Sequence, residues 1–157
     1  MAGEEDSDLY RAIGMATVSS QLFEKIFVLA ARFAFKQPDV RTIEEIVPVK
    51  RSTAFKQPVK ALLKEISGAV PSQELEDRLS ALIEKRHRVV HRIVEETGWP
   101  GNTSTEEQRQ NIRQLCDDVI SESKFLTNVL YDLMVEWMAK IPELLGALED
   151  HRPGPCR

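Results

Sequence analysis

The stretch that decides the fold runs from residue 72 to residue 98 and reads SQELEDRLSALIEKRHRVVHRIVEETG. Its apolar residues recur every three or four positions, which is the spacing of an amphipathic helix. Ser72 suits a helix N-cap and Gly98 suits a helix stop, so the pattern predicts one helix between them. The apolar positions of this helix are Leu75, Leu79, Leu82, Ile83, Val89, Val90, Ile93 and Val94.

Arg86 interrupts this apolar pattern. At about 100° per residue it falls on the same stripe as Leu79 and Leu82, where a charged side chain is costly. A buried guanidinium without a counter-charge costs several kcal/mol, so Arg86 needs an acidic partner, water or a ligand. Two interpretations stay open, namely a salt bridge to an acid of the last helix, such as Asp117 or Asp118, and a contact with a phosphate.

The remaining sequence predicts further helices and no strand. Four principal helices joined by modest connections favour an all-α fold, an antiparallel four-helix bundle with short extra helices. Two segments, Thr42–Glu45 and Thr103–Glu106, have the spacing of capping boxes that start helices. Apart from the helix over 72–98, the spacing predicts principal helices over residues 7–36, 54–67 and 105–140 and short ones over 43–47 and 142–149.

Length and composition favour one globular domain. The chain has 157 residues, of which 42% are hydrophobic and 29% are charged, and such a chain can form a single core. We expect the domain over residues 8–150, between a disordered N-terminus of residues 1–7 and a disordered tail of residues 151–157. The sequence has no signal-peptide pattern and no continuous apolar run of the roughly 18–20 residues that span a membrane. We therefore expect a cytoplasmic protein that does not contact a membrane.

Positive charge is concentrated in one region, although the formal net charge is −4. Residues 50–64 hold five basic side chains and no acid, whereas residues 105–150 hold ten acids and four bases. The basic region could attract a polyanion such as a nucleic acid. A solvated face with ion pairs between neighbouring turns is the alternative interpretation.

Several familiar kinds of site are absent from the sequence. It has no phosphate-binding glycine loop, no Gly-x-Ser-x-Gly elbow and no Cys-x-x-Cys pair, which argues against loop-based nucleotide hydrolysis and zinc-finger roles. Cys116 occupies a core-like helical position and Cys156 lies in the polar tail, so we expect no disulfide between them. The pentapeptide AFKQP occurs at 34–38 and again at 54–58, and we interpret this repeat as coincidence or as two similar aromatic contacts beside helix ends.

Arg86 and His91 can act together in phosphodiester cleavage. A histidine can take a proton from a ribose 2′-hydroxyl or give one to the leaving oxygen, and an arginine can hold the phosphate with two hydrogen bonds. In one straight α-helix the two residues are about 140° apart, so they need a long arginine reach, a local distortion or a second copy of the helix to converge. The spacing of His87 and His91 also suits a metal site, but no carboxylate accompanies them, so we expect no metal.

The hexapeptide Arg86-His87-Arg88-Val89-Val90-His91 resembles the Arg-polar-x-x-x-His signature of HEPN domains. Many HEPN proteins are metal-independent endoribonucleases, often toxins or phage-defence effectors, that act as homodimers with both motifs lining one RNA cleft. The resemblance implies that Arg86 and His91 are catalytic and that His87 takes the place, most often held by Asn, of the residue that positions them. The basic residues expected to contact the RNA backbone are Lys85, Arg88 and Arg92.

The resemblance also implies partners. We expect RNA as substrate, no cofactor, a homodimer through the third-helix face and a possible protein antitoxin or regulatory partner. One HEPN subgroup carries a tyrosine two residues after the histidine, where this chain has Ile93, so control by tyrosine modification is not expected. Other HEPN proteins have lost catalysis, and the alternative is therefore a non-catalytic bundle that binds a protein partner or a nucleotide. Trp99, just after the third helix, could stack on a base or cap the bundle, and we favour the cap.

Overall fold

The fold is built from helices. The structure, a computed structural model, describes residues 3–42, 44–45, 58–99 and 105–144, and no strand occurs among them. The predicted all-α class is therefore confirmed for this part of the chain. The helices are α1 (Glu4–Leu29), which continues as a π-helix (Ala30–Phe35), α2 (Val59–Glu65), α3 (Gln73–His87), which continues through a π-helix (Arg88–Arg92) into α4 (Ile93–Thr97), and α5 (Glu106–Ala139).

The third helix, which consists of α3, the π-helix after it and α4, begins and ends where local signals predicted. The backbone N–H of Leu75 donates to Ser72 Oγ at 3.1 Å, so Ser72 is the N-cap of α3. At the other end Gly98 has a φ of 67°, a left-handed conformation that favours glycine, and its N–H donates to the carbonyl of Val94 at 2.9 Å. What the sequence did not indicate is the π-helical winding between these ends.

The cap of α5 differs from its prediction. Thr105, and not Thr103, is the N-cap, and its partner in the capping box is Gln108. The N–H of Gln108 donates to Thr105 Oγ1 at 3.2 Å, and the N–H of Thr105 donates to Gln108 Oε1 at 2.7 Å. Glutamine serves this role as well as glutamate does, so the two overlapping threonine patterns could not be separated by spacing alone.

The first helix begins earlier than predicted. It starts at Glu4, whereas the sequence suggested a start near Ser7, so residues 4–7 of the expected disordered N-terminus are helical. Tertiary contacts account for the difference. Trp99 Nε1 donates to Asp6 Oδ1 at 3.2 Å, and Arg109 Nη2 lies 3.6 Å from the same oxygen. These partners lie more than 90 residues away along the chain, where local spacing gives no sign of them.

Helices α1 and α5 are parallel, and they form the most extensive contact of the fold. Near their N-terminal ends Asp6 contacts Arg109. Near their C-terminal ends the ring centroids of Phe33 and Trp137 are 5.4 Å apart, and Trp137 Nε1 donates to the carbonyl of Gln37 at 2.8 Å. Matching ends are therefore in contact at both extremes, which only parallel helices allow.

The third helix runs opposite to α5. Arg78, early in α3, makes two hydrogen bonds of 2.6 and 2.9 Å to Glu122, and its guanidinium lies 3.9 Å from the ring centroid of Phe125. Lys85, one to two turns later, lies 3.3 Å from Asp118. The partners of α3 thus come in reverse order along α5, and the two helices are antiparallel.

The predicted antiparallel four-helix bundle does not match the described residues in its details. Three long helices are present among them, α1 and α5 are parallel, and α2 is seven residues long. Glu65, at the end of α2, contacts Arg32 and Lys36 near the end of the first helix, so α3 starts near that end and runs antiparallel to both α1 and α5. Of the predicted turn over 43–47, Glu44 and Glu45 are described and are helical. The rest of that turn, the first residues of the predicted helix 54–67, most of 142–149 and the tail with Cys156 lie outside the described residues.

Core side chains from all three long helices meet in one cluster. Phe23 and Phe27 are stacked at 5.7 Å between ring centroids and are buried against α3 and α5. The first AFKQP copy closes this core at one end, because Phe35 is buried and Gln37 holds Trp137. Other side chains with less than 2% exposure are Leu9, Leu62, Ile66, Leu79, Leu82, Ile112, Val119, Leu126, Leu130 and Ile141.

The continuous helix from Asp6 to Phe35 is long and apolar enough, by length and composition, to cross a membrane. Its best 18-residue window has a mean hydropathy of 1.2. The sequence has no continuous run of 18 apolar residues, but the apolar and small residues of this window together give a mean hydropathy of 1.2. A core helix of a soluble protein meets the same criteria, and one face of this helix is buried against α3 and α5.

Replacing Phe27 with alanine tests this packing. We expect Phe27→Ala to lower the free energy of unfolding by about 3–5 kcal/mol, because it removes a fully buried ring and leaves a cavity. Tyr131→Ala, at an exposed aromatic residue of α5, should change it by less than about 0.5 kcal/mol. Chemical denaturation followed by circular dichroism measures both values, and equal losses would contradict the assigned core.

Candidate functional site

The partner of Arg86 is Glu24 on α1. Arg86 Nε lies 2.8 Å from Glu24 Oε1, and the two side chains retain 26% and 20% of their exposure. Both of these atoms are buried, yet the N–H is not directed at the oxygen, so they form an ion pair without a well-aligned hydrogen bond. The expected partner, Asp117 or Asp118 of the helix predicted over 105–140, is therefore wrong. Asp118 instead accepts hydrogen bonds from Gln114 and Lys85.

Burial and charge act on Glu24 in opposite directions. Removal from water raises the pKa of the Glu24 carboxyl above its ordinary value of 4.5, and the positive charge of Arg86 lowers it again. Burial is the larger effect. Glu24 is thus held in a position that is unfavourable for a carboxylate, and Arg86 reduces this cost without cancelling it.

The two Nη groups of the Arg86 guanidinium are in a different environment from its Nε. Neither Nη atom belongs to the fully buried atoms, and no hydrogen-bond partner for them occurs within the described part of the chain. Glu24 therefore neutralises the guanidinium from the Nε side while the two Nη groups reach the surface. A guanidinium in this state can still bind an oxyanion with two parallel hydrogen bonds.

The helix carrying Arg86 and His91 is distorted between them. Residues Arg88–Arg92 are wound as a π-helix, and at Arg92 the backbone departs from helical geometry, with φ −124° and ψ 1°. Hydrogen bonds of a π-helix join residues five apart, so this winding reduces the angle between positions that an α-helix separates by about 140°. Such bulges in α-helices are frequent at functional sites. A local distortion, one of the three possible routes to convergence, is therefore present, but Arg86 contacts Glu24 whereas His91 contacts His87.

His91 is exposed and His87 is partly buried. Their ring centroids are 5.1 Å apart with an angle of 49° between the planes. His91 is therefore open to a substrate and is supported on one side by the ring of His87. A reacting His91 supported by His87 stays a prediction, and simple packing of the two rings is the alternative interpretation.

The basic side chains around the motif are paired with acids. Besides Lys85 with Asp118, Arg88 Nε lies 3.1 Å from Glu96, and Arg92 Nε lies 3.9 Å from both Glu95 and Glu96. The three residues expected to contact RNA backbone thus carry counter-charges from their own surroundings. Their field toward a polyanion is weaker than the sequence count suggested.

Two other residues singled out from the sequence have structural roles. Trp99 is 3% exposed, its ring centroid lies 4.6 Å from that of Tyr10, and its Nε1 donates to Asp6. It therefore caps the end of the bundle and is not open to a base. Cys116 is buried, and burial raises the pKa of its thiol to about 11, which makes it a poor nucleophile.

Comparisons with protein-family models, with curated proteins and with solved structures found no match to this chain. Among the described residues, no group of three or more His, Cys, Asp and Glu side chains could hold a metal ion. The side chains that can act chemically at the candidate site are Arg86, His91, His87 and Glu24.

The stability of the Arg86–Glu24 pair should depend on pH. Because the folded-state pKa of Glu24 is raised, its ionisation costs stability as the pH rises above 4.5, and Arg86 offsets this cost. We expect Arg86→Ala to lower the free energy of unfolding by about 1–3 kcal/mol near pH 7 and by clearly less near pH 4, where the carboxyl is neutral.

The matched control is the double variant Arg86→Ala with Glu24→Gln. It lacks the stranded carboxylate and should regain much of the loss near pH 7, as a double-mutant cycle of thermal or urea unfolding would show. The same loss at both pH values, or no recovery in the double variant, would contradict the ion pair.

Proposed function

We propose that this protein is a metal-independent endoribonuclease of the HEPN type in which Arg86 and His91 are catalytic. The observation that supports this most is the exposure of Arg86 and His91 where α3 passes into the π-wound turn. Glu24 pairs with Nε of Arg86, so the two Nη groups of Arg86 stay available at the surface. His91, five residues later, is exposed. These are the two groups that cleavage through the ribose 2′-hydroxyl requires.

The reaction follows from the chemistry of the two side chains. His91 takes the proton of a ribose 2′-hydroxyl, and the 2′-oxygen attacks the adjacent phosphorus. The bond from phosphorus to the 5′-oxygen of the next nucleotide breaks, and that oxygen takes up a proton. Arg86 donates hydrogen bonds to the non-bridging oxygens and stabilises the charge that develops there. The products are a 2′,3′-cyclic phosphate and a 5′-hydroxyl end.

The surrounding residues would assist in binding RNA. His87 supports the ring of His91, and Lys85, Arg88 and Arg92 would exchange their present acidic partners for phosphates. Exposed ion pairs contribute only about 0–1 kcal/mol, so the exchange is inexpensive. The homodimer through the third-helix face, a protein antitoxin or regulatory partner and the cytoplasmic location stay predictions.

A second candidate function is favoured by a different observation. Because Lys85, Arg88 and Arg92 are all paired with acids, the face around the motif is nearly balanced in charge, which suits a protein partner better than a polyanion. In that case the protein is a non-catalytic binding module and the Arg86–Glu24 pair is purely structural. It then cleaves no RNA at any protein concentration.

Cleavage of an end-labelled RNA in EDTA distinguishes the two functions. We expect the parent protein to cut and to leave 2′,3′-cyclic phosphate ends, and a 2′-deoxy substitution at the cut nucleotide to stop the reaction. His91→Ala and Arg86→Ala should each lower the rate by at least about a hundredfold, since each removes a group that acts in the transition state.

Arg113→Ala is the matched control, because it removes a partly buried arginine of α5 that pairs with Glu106 and not with the motif. Its cleavage rate should equal that of the parent, and circular dichroism should show all variants equally helical. Cutting by His91→Ala at the parental rate would refute the proposed site. No cutting by a folded parent would favour the binding module.

A further inference from the structure

A stripe of apolar side chains runs along the solvent side of α1. Met15, Val18, Leu22 and Leu29 retain between 40% and 66% of their exposure. Their spacing of three, four and seven residues is that of the a and d positions of a coiled coil. We use the name α1 flank for the residues on this heptad pattern, which are Glu4, Asp8, Arg11, Met15, Val18, Leu22, Lys25 and Leu29.

The polar members of the α1 flank are Glu4, Asp8 and Arg11 before the apolar centre and Lys25 after it. Asp8 and Arg11 form an exposed pair at 3.7 Å. Such a pair contributes little and can exchange partners. Asp8 is therefore available to a basic residue of a second copy.

We propose that the α1 flank is a dimer interface, in which it packs against the α1 flank of a second copy of this chain with the two helices antiparallel. In an antiparallel pair each a position faces a d position. Centring the pair on the apolar residues then places Met15 opposite Val18 of the second copy, twice by symmetry. The same register places Asp8 opposite Lys25 of the second copy.

Charge complementarity favours a second copy as occupant and the antiparallel direction. In the antiparallel register two layers are Asp8–Lys25 pairs, two place the aliphatic stem of Arg11 against Leu22, and two place Glu4 against Leu29. In a parallel pair, by contrast, Asp8 would face Asp8 and Lys25 would face Lys25, and such like-charge contacts are unfavourable. The arrangement has the two-fold symmetry of the commonest protein dimers.

The surroundings of the flank provide room for a partner. A groove of about 220 Å³ between α1 and α5 borders Leu22 and is lined by Ser19, Ile120, Lys124 and Thr127 as well. Side chains of a second copy can enter it, so the interface extends beyond a single pair of helices. The α1 flank is proposed in place of the third-helix face that the resemblance implied as the dimer interface. That face exposes two large apolar side chains near the motif, Val90 and Val94.

The interface leaves the proposed nuclease site open. At about 100° per residue, Glu24 is about 180° from Met15 and about 160° from Leu22 around α1. The side chain that holds Arg86 thus points away from the second copy. The inference does not depend on the proposed function, and its test requires no RNA.

Sedimentation equilibrium of the full chain up to about 100 µM tests the interface. We expect the parent to dimerise and Val18→Glu to be monomeric. Val94→Glu makes the same change on the third helix and should leave the dimer intact. Asp8→Lys and Lys25→Asp should each weaken the dimer by about tenfold or more, and the double variant should restore it, because it exchanges the two charges within each layer.

Several outcomes would overturn the inference. A monomeric parent would do so, and flotation of that monomer with phosphatidylcholine vesicles would assign the stripe to a membrane surface. A dimer that survives Val18→Glu and is lost in Val94→Glu would place the interface on the third helix. Failure of the double charge exchange to restore the dimer would refute the antiparallel register. Circular dichroism confirms that each variant is folded.

Discussion

A guanidinium beside a hydrophobic core needs a counter-charge, and in this protein Glu24 supplies it to Arg86. The pair joins α1 to the third helix at the point where the third helix changes from α to π winding. Burial shifts Glu24 toward its neutral form. The charge of Arg86 lowers the cost of ionised Glu24, and Glu24 supplies the counter-charge that Arg86 needs. The position of the motif relative to the core therefore depends on this one contact between two helices.

The chemistry follows from how the pair is oriented. Contact through Nε leaves the forked end of Arg86 at the surface, which a contact through the Nη groups would not do. His91 is exposed on the π-wound turn that follows, with the ring of His87 beside it. The proposed cleavage of RNA requires these two side chains to reach one phosphate. The acids around Lys85, Arg88 and Arg92 reduce the attraction for RNA, which places more weight on Arg86 itself.

What the sequence predicted well is what local chemistry controls. Ser72 and Gly98 bound the third helix because capping and left-handed geometry are properties of a few neighbouring residues. Glu24 could not be identified as the partner of Arg86, since that requires knowing that α1 runs antiparallel to α3. An acid at the edge of the apolar face of α1 was the available signal. The parallel direction of α1 and α5 is seen only in tertiary contacts such as Asp6–Arg109 and Phe33–Trp137, and the π winding depends on packing, so neither is encoded in periodicity.

The most direct measurement is a titration of the ¹⁵N-labelled protein with a 2′-O-methyl RNA, which can bind but cannot be cleaved through the 2′-position. If Arg86 and His91 form one phosphate-binding site, the side-chain Nε–H resonance of Arg86 and the ring resonances of His91 should shift together with a single dissociation constant. In Arg86→Ala the shift of His91 should be lost or strongly weakened. Resonances of Arg86 and His91 that stay unchanged at saturating RNA would contradict the central claim that this turn of the third helix is a nuclease site.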